Sequence, residues 1–137
     1  MTSLLLDTCA LIWIAAGDPI SEEAQNALRE ASEEGRAVCV SPISAWEVGL
    51  LVARGRLALS MPPQAWLDAF LAQPGAELAP MPVDTLVDSS FLPGSPPRDP
   101  ADRIVLATAR ASGMRIMTRD RAMLDYAQQG HAWAMEC

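Results

Sequence analysis

Ser3-Leu4-Leu5-Leu6-Asp7 is a short, wholly apolar run stopped by an acid. A strand with one face in water alternates apolar and polar residues, whereas an unbroken run of this length fits a strand covered on both faces, as in a parallel sheet. Ala37-Val38-Cys39-Val40 reads the same way, and Arg115-Ile116-Met117-Thr118 gives a further strand that ends next to Asp120. Glu77 to Val83, broken by Pro80 and Pro82, is limited to a short extended segment near a sheet edge, and His131 to Met135 reads as a last strand.

Helical stretches fill the intervals. Thr8 to Ala16 follows Asp7, whose side chain suits an N-cap. Ser21 caps a helix to about Glu34 with an apolar stripe of Ala24, Ala27, Leu28 and Ala31. Ser41-Pro42 opens a third helix, expected to bury Ile43, Trp46, Leu50 and Leu51, with Glu47 on the same face. Gln64 to Ala72 forms another, packing through Trp66, Leu67 and Phe70, and Asp84 is expected to cap a short helix through Phe91. Asp99-Pro100-Ala101-Asp102-Arg103 then starts a helix that runs to Ser112 and stops at Gly113: Asp99 suits the N-cap and Pro100 the first helical position, where its missing N–H costs nothing. Arg121 to Gln129 is the last helix. Alternation of apolar strands with helices implies right-handed crossovers and a parallel sheet covered on both faces, hence an α/β fold.

Composition narrows the chemistry. At 137 residues with 50% apolar content, residues 1–137 make one domain with a single core. The longest uncharged stretch near the start, Thr8 to Gly17, is far shorter than the roughly 20 residues of a membrane span. Cys9, Cys39 and Cys137 are too scattered for a disulfide framework or a zinc site, which fits a reducing cytoplasm. All ten basic residues are arginine, so a P-loop or a pyridoxal Schiff base, each of which needs a lysine, is excluded. The one histidine, His131, stands beside no evident nucleophile, which disfavours Ser/His hydrolysis. A net charge of -7 argues, taken alone, against a nucleic-acid binder.

The acids answer that objection. Asp7 and Asp120 follow strands at their C-terminal ends, Asp102 opens a helix, and Glu47 lies on a helix that follows a strand. In a parallel sheet these positions share one edge, where ligands bind. Each has an alternative use: Asp7 and Asp99 as helix caps, Asp102 in a capping box, Glu47 paired with Arg54 or another arginine. Together they repel one another unless cations intervene, and hard divalent ions such as Mg²⁺ or Mn²⁺ are the natural solution in phosphoryl transfer. Arg98, Arg103, Arg119 and Arg121 flank the acids where phosphates would approach, or pair with neighbouring aspartates.

With the strand ending in Asp7-Thr8, Pro42-x-x-x-x-Glu47, Asp99-Pro100-Ala101-Asp102-Arg103-Ile104 before Ala107-Thr108-Ala109, and Thr118-Arg119-Asp120, the chain resembles the PIN-domain family, and within it the VapC ribonuclease toxins of bacterial toxin–antitoxin pairs. The resemblance covers essentially the whole chain. It implies a three-layer α/β/α fold with a mostly parallel sheet of about five strands, and a Mg²⁺- or Mn²⁺-dependent endoribonuclease. The family is commonly dimeric and is inhibited by a cognate protein antitoxin. By position, Asp7, Glu47, Asp102 and Asp120 would be the catalytic and metal-binding acids, with Asp99 an extra ligand or a cap. Thr118, Arg98, Arg103 and Arg119 would neighbour the metal and the substrate phosphate. Asp102 is favoured over Asp99 because it precedes the Ile-Val-Leu-Ala-Thr-Ala helix at the family's spacing.

Two alternatives stand beside this reading. A haloacid-dehalogenase-type phosphatase also begins with a strand ending in an aspartate, but its second acid would fall where Cys9 stands and its usual lysine is absent. A non-catalytic PIN-like binding module needs none of the acids, yet all four are present.

Overall fold

A computed structural model describes residues 2–137. Among them, five strands and seven helices alternate: β1 (Leu4–Leu6), α1 (Thr8–Ala16), α2 (Glu22–Glu34), β2 (Val38–Val40), α3 (Pro42–Ala53), α4 (Pro63–Leu71), β3 (Ala76–Leu78), α5 (Val83–Asp88), α6 (Pro100–Ser112), β4 (Arg115–Thr118), α7 (Arg121–Gln128) and β5 (Ala134–Glu136). The strands form one sheet in the order β3-β2-β1-β4-β5, and every pairing is parallel.

The apolar runs behave as a doubly covered sheet requires. Leu4 and Leu6 point to one face, with Val40 and Met117, and meet Ala24, Ala27 and Ala31 of α2 and Leu67 of α4. Leu5 points to the other, with Cys39 and Ile116, against Val105, Leu106 and Ala109 of α6 and Met123 and Tyr126 of α7. These are the two helical layers around the sheet.

Some expectations shift. The extended segment forms an edge strand, with Leu78 exposed. The short helix after it starts two residues earlier and ends at Asp88; its N-cap is Pro82, not Asp84, whose carboxylate accepts from the N–H of Thr85. Proline pre-sets the backbone angle at the entry but offers no side-chain cap. The largest difference is on α3. Its buried residues are Ser44 and Val48, and Trp46 is 60% exposed. α3 packs against α1, α4 and α6 rather than on the sheet, and the indole is turned to solvent on the rim of a cleft.

Strand register sets the site. Leu6 pairs with both Val40 and Met117, so Asp7, Ser41 and Thr118 follow side by side at the C-terminal edge. The chain leaves β1 toward β2 on one side and returns as β4 on the other, so strand order reverses between β1 and β4. That reversal is where an open α/β sheet leaves a crevice.

Candidate active site

Asp7 is only 6% exposed, and both its oxygens are occupied. Oδ1 accepts from the N–H of Ala10 at 2.8 Å, capping α1, and Oδ2 accepts from the hydroxyl of Thr118. The Thr118 oxygen in turn accepts from the N–H of Asp120 at 2.9 Å, and Asp120 caps α7 by accepting from the N–H of Met123. Two aspartates at the ends of neighbouring strands are thus tied through one fully buried hydroxyl.

Glu47 arrives from α3. The Thr8 hydroxyl donates to its carboxylate and is itself 2.9 Å from the hydroxyl of buried Ser44, one turn before Glu47. Asp99 is the N-cap of α6, its carboxylate accepting from the N–H of Asp102 at 3.0 Å. The carboxylate of Asp102 has no hydrogen-bond partner among the described residues, although the residue is half-buried.

Burial and mutual repulsion act on these groups together. Burial first, then the charges of Asp99, Asp120, Glu47 and Asp7, lifts the Asp102 carboxyl to about 7. Asp7 is raised by burial, against its hydrogen bonds from Thr118 and Ala10, with a further push from Asp120. Glu47 is raised by burial, against the bond from Thr8, and by Asp99 and Asp7. Cys9 shares this field: burial and the surrounding carboxylates push its thiol up to about 11, so it stays protonated and is no nucleophile at neutral pH.

None of the five acids forms an ion pair among the described residues. The candidate arginines are placed differently from one another. Arg103 donates to the carbonyl of Pro97. Arg119 donates to the carbonyls of Pro19 and Cys137 and lies 4.0 Å from the Trp13 ring centroid. Arg121 faces Glu136 at 3.6 Å, and Arg98 is exposed. Beside the acids runs a cleft of about 420 Å³, lined by Thr8, Cys9, Glu47 and Asp99 together with Trp46, Leu50, Leu51, Arg54 and Arg56. Trp46 and Arg56 were not foreseen as part of it. The signal for Arg54 and Arg56 was their position, at the end of the helix that carries Glu47.

Oxygen donors of this kind suit a hard cation. Among the described residues no three His, Cys, Asp or Glu side chains are placed so as to enclose an ion by themselves. Mg²⁺ does not need that, since it keeps several waters and takes one or two carboxylates directly. Asp7, Glu47 and Asp102, in no ion pair among the described residues and with raised affinity for protons, are donors such an ion would relieve.

Comparison with known proteins gives a consistent result. The family profile of the PIN domain matches residues 4–129. Ribonuclease VapC22 of Mycobacterium tuberculosis is 35% identical over 124 residues, covering 90% of this chain and 91% of that protein. The fold is similar to the crystal structure of VapBC2 from Rickettsia felis bound to a DNA fragment from their promoter, with a TM-score of 0.69 and 14% identity over 99% of both chains. It is also similar to DNA-bound VapBC from Salmonella typhimurium, with a TM-score of 0.66 and 16% identity over 99% of this chain and 98% of that one. At these identities the two structures bear on the fold alone.

Proposed function

The chain belongs to the PIN-domain family, and from that premise we propose that it is an endoribonuclease, the toxin of a toxin–antitoxin pair, hydrolysing RNA with Mg²⁺ or Mn²⁺. The observation that carries the reading is the group of carboxylates at the β1/β4 switch point, where burial and then mutual repulsion raise the proton affinity of Asp7, Glu47 and Asp102 and none is in an ion pair among the described residues.

Asp7, Glu47, Asp102 and Asp120 are the residues that would hold the ion, with Asp99 as the cap that orients the first turn of α6. A divalent ion bound here supplies a polarised phosphodiester and a water of lowered pKa. The chain's own residues supply order. Thr118 and the Ala10 N–H fix both oxygens of Asp7, and Thr8 fixes Glu47, so these two carboxylates keep their places as a substrate arrives. The Asp102 carboxyl, with no hydrogen-bond partner among the described residues, would lose its proton once a cation neutralised the site. The net reaction adds water across one P–O bond and leaves a phosphate monoester and a free hydroxyl.

The resemblance also supports a cognate antitoxin, a homodimer and a cytoplasmic setting. Among the described residues no helix is long and apolar enough to cross a membrane. The test is cleavage of a labelled mixed RNA pool by the purified protein. Products are expected with Mn²⁺ or Mg²⁺ and not with a chelator; products that persist in chelator contradict the reading.

A further inference from the structure

The cleft beside the acids has a composition that the hydrolytic chemistry does not explain. Trp46 and Leu50 of α3 and Arg54, its C-cap, follow one another at four-residue spacing, so they stand on a single ridge about 12 Å long by helix geometry. The ridge begins at the residue next to Glu47. Its first member is an indole left 60% exposed, and its last is a guanidinium, joined in the lining by Arg56. Both arginines are exposed, and neither is in an ion pair among the described residues. Arg103 and Arg119, by contrast, are spent on backbone carbonyls.

An apolar partner would be served by the indole and leucines but not by two free guanidiniums. A polyanion alone would be served by the arginines but not by the indole. A single-stranded nucleic acid uses both, because its unpaired bases stack on aromatic faces while its phosphates need positive charge, here above all since the adjacent carboxylates repel them.

We propose that this ridge seats an unpaired nucleotide of the RNA strand next to the scissile phosphate, its base stacked on Trp46 and its flanking phosphates held by Arg54 and Arg56. The assignment rests on the ribonuclease reading. It makes the protein selective for single-stranded over duplex RNA, since a paired base cannot leave its neighbours for the indole.

The experiment measures binding of a short, single-stranded oligoribonucleotide of random sequence in chelator, where metal-dependent cleavage does not occur. Trp46→Ala is expected to weaken binding about tenfold or more and Trp46→Phe to restore most of it. Arg54→Ala and Arg56→Ala should each reduce the slope of log affinity against log salt by about one. Duplex RNA should compete poorly. Wild-type affinity in Trp46→Ala, unchanged salt slopes, equal competition by duplex, or no RNA binding by the wild type each overturns the proposal; the first leaves the indole to a protein partner. Circular dichroism confirms that the variants are folded. Failure of the two readings is distinguishable: the expected binding pattern without cleavage in Mn²⁺ sinks the nuclease reading, whereas cleavage undiminished by Trp46→Ala sinks the nucleotide seat.

Discussion

The hydroxyl of Thr118 donates to Asp7 across 111 positions of sequence, joining the end of β4 to the end of β1 at the point where strand order reverses. Thr118 is fully buried, and its oxygen also accepts from the N–H of Asp120. Thr118→Val is therefore expected to cost about 1–3 kcal/mol, the usual penalty for stranding buried polar partners. Because the bond lowers the pKa of Asp7, its loss should also move the acid limb of the pH–rate profile to higher pH. Thr118→Ser should restore both. Thermal melts and pH profiles of the two variants decide this.

Asp7→Asn is expected to abolish RNA cleavage while the protein stays folded. An asparagine oxygen still accepts from the Ala10 N–H and caps α1, and a buried charge is removed. Cleavage at the wild-type rate would take Asp7 out of the mechanism.

Glu47→Gln should lower metal affinity at least about tenfold without greatly destabilising the metal-free protein. The amide oxygen can still accept from Thr8, and the group replaced is one whose charge burial disfavours. Calorimetric titration with Mn²⁺ and a melt in chelator give the two numbers; a large loss of metal-free stability would show a structural role instead.

Asp102 ties stability to pH. Its carboxyl binds a proton more tightly in the folded chain, at about 7, than at its ordinary value of 3.8. Its contribution to the stability of the metal-free protein is therefore present in full below pH 3.8 and lost as pH rises through about 7. Melts in chelator between these values should show a downward slope with pH that Asp102→Asn flattens. Divalent metal should reverse the trend and release protons on binding, read as a dependence of the binding heat on buffer ionisation. A slope unchanged in Asp102→Asn would contradict this.

The sheet was legible because burial on both faces leaves its mark as uninterrupted apolar runs: Leu4–Leu6 and the run at Ile116–Met117 show no alternation, and both are central strands. Helix starts were legible where a cap has a chemical signature, as at Ser21, Ser41 and Asp99. The entry to α5 was not, because Pro82 begins that helix through its fixed backbone angle and leaves Asp84 looking like a cap. Convergence of the acids followed from topology, since strand ends and helix starts share one edge. The exposure of Trp46 did not, because periodicity gives the spacing of an apolar face but not which neighbour covers it. A large indole beside Glu47 looks the same on paper whether it fills a core or lines a cleft.

The most direct test of the central claim compares the wild type, Asp102→Asn and Asp99→Asn on one labelled RNA pool with Mn²⁺ and with chelator. Asp99→Asn keeps its capping oxygen for the Asp102 N–H, so it separates the cap from the candidate ligand. The account predicts metal-dependent cleavage by the wild type, none by Asp102→Asn and retained cleavage by Asp99→Asn. Cleavage by Asp102→Asn at the wild-type rate, or cleavage in chelator, would contradict it.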